Sequence, residues 1–423
     1  MRLTLHYEKS RESDFVCTTL LLFAAVLLLF AFCVQSPREI AHGMMRICTE
    51  PARLVTDYIA LAGLGATFFN SGLLMLASVL LLRGLHLPFT GMSVACCFLM
   101  GGFALFGKNP FNILPILGGT ALYAAYQKEK VSQYIYVALF GTTLSPVVTE
   151  MSLLSARWAG ALPRVFPLAV GLLIGFILPS ISAYTLRVHQ GYNLYNVGFA
   201  AGLIGMVLVS MLKSFGNSYA TRLLWSSGNN VLLGGLLTVL FGVLFMTGWC
   251  LNGMRLHGMG HLMRHSGRVI ADFIVLDGYP VTLMNMGIVG LFATLFVVGV
   301  GGALNGPTIG GIFTIVGFGA FGKHMRNMIW IMLGVVLAAE LSIHQVNDPS
   351  VLLAVLFSTG LAPIAGQFGP FWGIVAGMLH TWVVLNIGGI YEGLNLYNNG
   401  FSAGLVCIVL LPLMQSLRKE GNK

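Results

Sequence analysis

The residues of this sequence best suited to chemistry come in pairs. NLYNVGFAAGL at 193–203 returns as NLYNNGFSAGL at 395–405, differing at two positions. Asn193, Tyr195 and Asn196, and again Asn395, Tyr397 and Asn398, put carboxamides and a phenol at the start of an apolar helix. Such groups either cap exposed helix N–H groups or exchange hydrogen bonds with a small polar solute. A second pair, 90–112 and 305–327, repeats at an offset of 215. In it Thr90-Gly91 and Asn305-Gly306 open apolar helices, Gly107-Lys108 and Gly322-Lys323 close them, and Asn112 and Asn327 begin the next segments. A helix N-terminus with a lysine nearby can draw an anion or a carbonyl. The alternative for Lys108 and Lys323 is an ordinary helix cap and snorkelling anchor at the membrane interface.

The same offset joins Asn70 to Asn285 and Asp57 to Asp272. Each asparagine lies between two apolar runs shorter than a membrane span, which predicts a helix interruption whose polar group satisfies freed backbone or meets a solute. The aspartates are costly if deep, so they are N-terminal caps near the interface or buried ion-responsive groups. Glu150 aligns with Gln367 and is a candidate for ion coupling, or for pairing with Arg157 one or two turns on. Glu340 and His380 have no ionisable counterpart and are further ion-coupling candidates. Gly72, Gly91, Gly107 and Pro146, with Gly287, Gly306, Gly322 and Pro363, are the expected helix breaks.

No enzyme constellation competes. H-E-x-x-H, G-x-S-x-G and the phosphate-binding G-x-x-x-x-G-K-[ST] are all missing. His257, His261 and His265 are spaced by four, but Arg255, Arg264 and Arg268 among them fit an amphipathic connector better than a metal site. The seven cysteines form no C-x-x-C pair, so neither a disulfide framework nor a thiolate metal centre is expected. No metal and no cofactor is expected.

The elements that position these residues must be membrane helices. The chain is 57% hydrophobic and only 9% charged, against about 25% charged in a typical soluble domain. Residues 15–34 contain no charge and match the length of about 20 residues that a span requires. That segment is too long for a signal peptide and is read as retained. The formal charge of +9 resides in short connections beside apolar spans, where positive-inside anchoring explains it without nucleic acid.

The landmarks His42-Gly43-Met44 and Arg53 match His257-Gly258-Met259 and Arg268 at the same offset. Phe140, Thr142, Pro146 and Glu150 match Phe357, Thr359, Pro363 and Gln367. The offset falls to 202 at the last motif, because the second half has lost a connection that carries Arg157 and Arg164 in the first. The organisation expected is an N-terminal cytosolic segment at 1–14, transmembrane repeats at 15–213 and 230–417, a linker at 214–229 and a cytosolic tail at 418–423. Long helices are expected near 15–34, 89–105, 164–185 and 197–213, with shorter pieces near 54–69, 71–83, 111–126 and 133–146.

At the paired FGK and NLYN motifs the chain resembles an uncharacterised, duplicated bacterial membrane-protein family known only as a domain of unknown function. More weakly it resembles urea transporters, whose halves are inverted, although their Leu-Pro-x-x-Thr-x-Pro-Phe pattern is not clear in this chain. The fold expected is all-α and polytopic, with two homologous, inverted repeats and broken or re-entrant helices. The function expected is a transporter or channel for a small polar solute or weakly charged metabolite. The alternatives are a membrane-embedded enzyme acting on a lipid-linked substrate, or a non-transporting assembly protein. The partners expected are membrane lipids, the solute and a second copy of the chain, and no nucleic acid. Basic residues at both ends, Lys9 and Arg11, and Arg418, Lys419 and Lys423, predict cytoplasmic termini in a bacterial inner membrane.

Overall fold

The computed structural model describes the backbone of residues 2–220 and 222–420 and the side chains of 12–220 and 222–417. The basic side chains expected to anchor the two ends lie outside the described residues. The first half runs α1 Arg2–Val34, α2 Pro37–Thr49, α3 Tyr58–Ala62, α4 Leu64–Gly84, α5 Gly91–Phe103, α6 Pro110–Tyr126, α7 Ile135–Gly141, α8 Ser145–Ser155, α9 Leu162–Val188 and α10 Asn196–Ser214. The second half repeats this order as α11 Asn230–Leu251, α12 Met259–Leu262, α13 Phe273–Asp277, α14 Tyr279–Gly299, α15 Gly306–Phe318, α16 Met325–Glu340, α17 Pro349–Ser358, α18 Ala362–Phe368, α19 Pro370–Ile387 and α20 Asn398–Glu420. Each helix has its counterpart ten places on.

Ten of the described helical segments are long and apolar enough to cross a membrane, with α7–α8 and α17–α18 each counted as one. Large apolar side chains cover the outer surface, among them Leu22, Leu29, Phe111, Val231 and Leu295, all more than 60% exposed. Burying such a surface in lipid removes the penalty that water would impose on it. The molecule is a multi-pass, all-α membrane protein.

Several helix boundaries differ from expectation, for local reasons. Asn70 and Gly72 lie inside a continuous α4, and Asn285 and Gly287 inside α14. Gly72 and Gly287 are close-packing points, not breaks: a Cβ on Gly287 would stand 2.7 Å from the Phe241 carbonyl oxygen. The break comes earlier, at Gly63 and Gly278, whose φ of +86° and +87° favour glycine. The segment expected as a long helix at 89–105 is the 13-residue α5, about 20 Å at 1.5 Å per residue. That is too short for a hydrocarbon layer about 30 Å thick. Its counterpart α15 is equally short.

These two short helices meet at the centre and fix the relation between the halves. Gly91 faces Ala320, Gly102 faces Gly310 and Gly306 faces Leu105. As one strand of contacts ascends, the other descends, so α5 and α15 are antiparallel. The same holds for α10 and α20, where Asn193 bonds Gly400 and Gly205 packs near Asn395. Counterpart helices therefore run in opposite directions, and the repeats are inverted.

The connection with Arg157 and Arg164 lies beside Cys48, Thr49 and Asn109. The two ends lie on the other face, where Ser13 bonds Phe89 and Gln415 bonds Gln190. That connection and the described ends of the chain therefore lie on opposite faces.

Inversion predicts the sidedness of matched loops. In a functional background without native cysteines, Lys128→Cys and Ile343→Cys should react with a membrane-impermeant thiol reagent from opposite sides of the membrane. Labelling of both from one side would contradict the antiparallel arrangement.

Candidate functional site

The short helices are held at their N-termini by the opposite repeat. Asp57 caps α3 by accepting the Ile59 N–H at 2.9 Å, and the same oxygen accepts the Gly306 N–H at the start of α15 at 3.1 Å. Its other oxygen accepts the Ser226 N–H and hydroxyl. Asp272 does the same in reverse, capping α13 and accepting the Gly91 N–H at the start of α5 at 3.0 Å. A carboxylate at a helix N-terminus is stabilised by the unpaired N–H groups there, and each of these serves two helices from different repeats. Asn305 caps α15 through Thr308, and Thr90 is the N-cap of α5, its N–H bonding Ser93.

At their C-termini the short helices end in a turn whose carbonyls point into protein. The Asn70 carboxamide donates to the Ala104 and Lys108 carbonyls at 2.6 and 2.8 Å. Asn285 donates to those of Gly319 and Lys323 at 2.7 and 2.8 Å. Asn112 and Asn327, one turn into α6 and α16, donate to the Gly107 and Gly322 carbonyls at 3.0 and 2.8 Å. Gly322 turns with φ of +104°, and a Cβ there would stand 2.6 Å from the Gly267 carbonyl oxygen. Four asparagines thus hold two matching turns, and each turn presents its lysine inward.

Lys108 and Lys323 are fully buried, which overturns their reading as snorkelling anchors. Each crosses to the other repeat. Lys108 Nζ donates to the Tyr397 hydroxyl at 3.0 Å, and Lys323 Nζ donates to the Tyr195 hydroxyl and, at 2.8 Å, to Thr359 Oγ1. Their ammonium groups also lie 5.0 and 4.6 Å from the centres of the same tyrosine rings, within cation–π range.

The tyrosines are placed by the NLYN loops, which dock on a break in the opposite repeat. Helices α7–α8 and α17–α18 are interrupted by 3-10 turns at Thr142–Leu144 and Thr359–Leu361, and Pro146 and Pro363 follow as the second residues of α8 and α18. The carbonyls this frees are taken up across the interface. Leu396 N–H donates to Thr143 O at 3.1 Å and Leu194 N–H to Gly360 O at 3.0 Å. Asn193 donates to Gly400 O at 2.9 Å, and Asn395 accepts from Thr143 Oγ1 at 3.1 Å. Asn196 accepts from Thr185 and His189 within its own repeat, and Asn398 donates to Val384 O.

Cavities border this frame. One of about 150 Å³ between the repeats is walled by Leu99, Phe140, Phe318 and Phe321, with Tyr195, Tyr397 and Asn196 as polar lining. Two larger ones, of about 460 and 620 Å³, lie on opposite faces beside Asn112 and Asn327 and are lined by counterpart residues.

The ionisable candidates separate. Glu150 is buried and pairs with Arg53 Nε at 2.9 Å, not with Arg157. His380 is buried against Asn399 at 3.0 Å, whereas Glu340 is exposed at the end of α16 and is not a buried group. His261 and His265 both face Asp277, at 2.6 and 2.9 Å, a grouping that the four-residue spacing with His257 did not indicate.

A family profile described as a protein of unknown function (DUF1576) matches residues 36–214 and 251–416. The chain belongs to that family. The two matched stretches begin after α1 and near the end of α11, so the family pattern divides at the repeat boundary. No curated protein and no solved structure matches the chain. Thr143 and Thr359 at the helix breaks, and Tyr136 in the wall of the interface cavity, also belong to the site, although no motif in the sequence marks them. Thr142 and Thr359 stood in the repeat alignment, but a hydroxyl in an apolar run looks the same whether it bonds its own helix or another.

Removing one carboxamide from a turn leaves two carbonyls without that donor, at about 1–3 kcal/mol for each buried group left unpaired. Asn70→Ala and Asn285→Ala should therefore each lower thermal stability in detergent well beyond a lipid-facing change such as Leu295→Ala. Unchanged melting in both would mean that the turns hold without these bonds.

Proposed function

We propose that this membrane protein is a transporter or channel for a small polar solute or weakly charged metabolite, moving between the two inverted repeats. The observation that carries the reading is the set of cavities: matching ones on opposite faces, beside Asn112 and Asn327, and a smaller one at the interface of the repeats lined by Tyr195 and Tyr397. Inverted repeats with broken helices near the middle of the bilayer supply the two-sided access that a pathway needs. Non-helical backbone at that depth is tolerated where protein or an aqueous cavity satisfies it. In this reading Asn196, Tyr195 and Tyr397 meet the solute, and the carboxamides of Asn70, Asn112, Asn285 and Asn327 hold the turns in place. The protein resides in a bacterial inner membrane with both termini cytoplasmic, on the strength of their basic residues.

Rocking of one repeat against the other and a fixed channel both use the same polar breaks. Purified protein in liposomes should give saturable uptake or equilibration of a small polar or weakly charged solute above protein-free liposomes. Silence across a broad screen, together with turnover of a lipid-linked substrate, would replace this reading with a membrane enzyme.

A further inference from the structure

The hydrogen-bond directions at the two lysine–tyrosine pairs narrow the solute. An ammonium group only donates. In each pair the phenol oxygen is therefore the acceptor, and the phenol's own hydrogen is not used by the lysine. Among the described residues the Tyr397 hydroxyl bonds Lys108, and the Tyr195 hydroxyl bonds Lys323 and lies against the Thr359 hydroxyl. Both tyrosines line the cavity between the repeats, and both also line the small space that separates them near Phe103 and Phe357.

The charge is equally one-sided. Two lysines are fully buried here, and among the described residues no carboxylate forms an ion pair with either. The buried acids of the two repeats are engaged elsewhere: Glu150 with Arg53, Asp57 with Ser226 and Gly306, and Asp272 with Gly91. A buried cation without a counter-charge is strongly disfavoured, and an anion beside it reverses that. Thr359, the other partner of Lys323, accepts from it and donates its own hydrogen to Leu356 O, and brings no counter-charge.

We infer that the site between Tyr195 and Tyr397 selects a small monovalent oxyanion with an apolar body, of the short monocarboxylate class. The inference rests on the pathway reading above and names the substrate of that same site. The phenol hydrogens, polarised by Lys323 and Lys108, donate to the anion's oxygens. The volume of about 150 Å³ is that of a cavity able to hold a ring of about six carbons, which sets the upper size. Walls of Leu99, Phe140, Phe318 and Phe321 suit an apolar body and exclude a multiply charged ion, which would have to shed a tight hydration shell.

The test uses full-length protein in liposomes with three labelled probes: lactate, methanesulfonate, which stays ionised at every working pH, and glycerol. Variants are Lys108→Met, Lys323→Met, Tyr195→Phe and Tyr397→Phe, each checked for a monodisperse profile and cooperative melting. Saturable methanesulfonate or lactate uptake is expected, with glycerol excluded. Either Tyr→Phe change should lower anion uptake about tenfold, the size of one lost charge-assisted hydrogen bond, and either Lys→Met change at least as much. Should a lysine variant fail to fold, the Tyr→Phe pair carries the test, since it removes one oxygen and keeps the ring. Glycerol uptake without anion uptake overturns the anion class and leaves the pathway standing. Anion uptake unchanged in folded Tyr→Phe variants overturns the site, and no uptake of any probe overturns both.

Discussion

Backbone polar groups in hydrocarbon must find partners inside the protein, and each unsatisfied one costs several kcal/mol. This chain interrupts its helices at the turns after α5 and α15, at the 3-10 turns inside α7–α8 and α17–α18, and at the two NLYN loops. Each interruption frees carbonyls or N–H groups well inside the molecule. Several of the bonds that satisfy them come from the other half: Leu396 to Thr143, Leu194 to Gly360, Gly91 to Asp272 and Gly306 to Asp57. Because those bonds are exchanged reciprocally, one repeat alone would leave these groups bare.

Close packing makes the exchange possible. Helices α5 and α15 approach at glycines, where a Cβ on Gly91 would stand 2.1 Å from the Ala320 carbonyl oxygen and one on Gly310 would stand 2.3 Å from Phe106. Small residues that let helix backbones approach are the usual means of association in lipid, where the hydrophobic effect gives helices no reason to prefer each other. Around this contact Phe23, Phe98 and Phe313 form an aromatic cluster with ring centres 4.7 to 5.8 Å apart. Edge-on aromatic contacts of this kind add to the area they bury.

The polar residues divide their labour. Asn70, Asn112, Asn285 and Asn327 are occupied with backbone carbonyls, and Asp57 and Asp272 with helix N-termini. The two buried lysines and the phenols of Tyr195 and Tyr397 bond each other across the interface of the repeats, with no carboxylate among their described partners. The halves also differ where symmetry is not needed for folding. Arg53 has Glu150 beside it, whereas Arg268 lies over the Tyr192 ring and bonds Gln190 O. The His261, His265 and Asp277 group occurs in the second half alone, its positions being held by Arg46, Glu50 and Ala62 in the first.

The sequence by itself determined the membrane class, the helical fold and the duplication, because those follow from local composition and from identity at fixed offsets. An apolar run of span length has one physical outcome in lipid, and NLYN repeated nearly intact has one explanation. Which side chain would serve backbone and which would face a cavity was decided by tertiary structure. An asparagine in an apolar run has the same local chemistry in either role, and only the turn that packs against Asn70 shows it serving the Ala104 and Lys108 carbonyls. The lysines teach the same lesson in the other direction: a lysine just after a helix looks like an interfacial anchor until the helix proves too short to reach the interface. Antiparallel docking of α5 on α15 and of α10 on α20 then sets Lys108 against Tyr397 and Lys323 against Tyr195, partners 289 and 128 residues away, a distance over which no local pattern in the chain carries information.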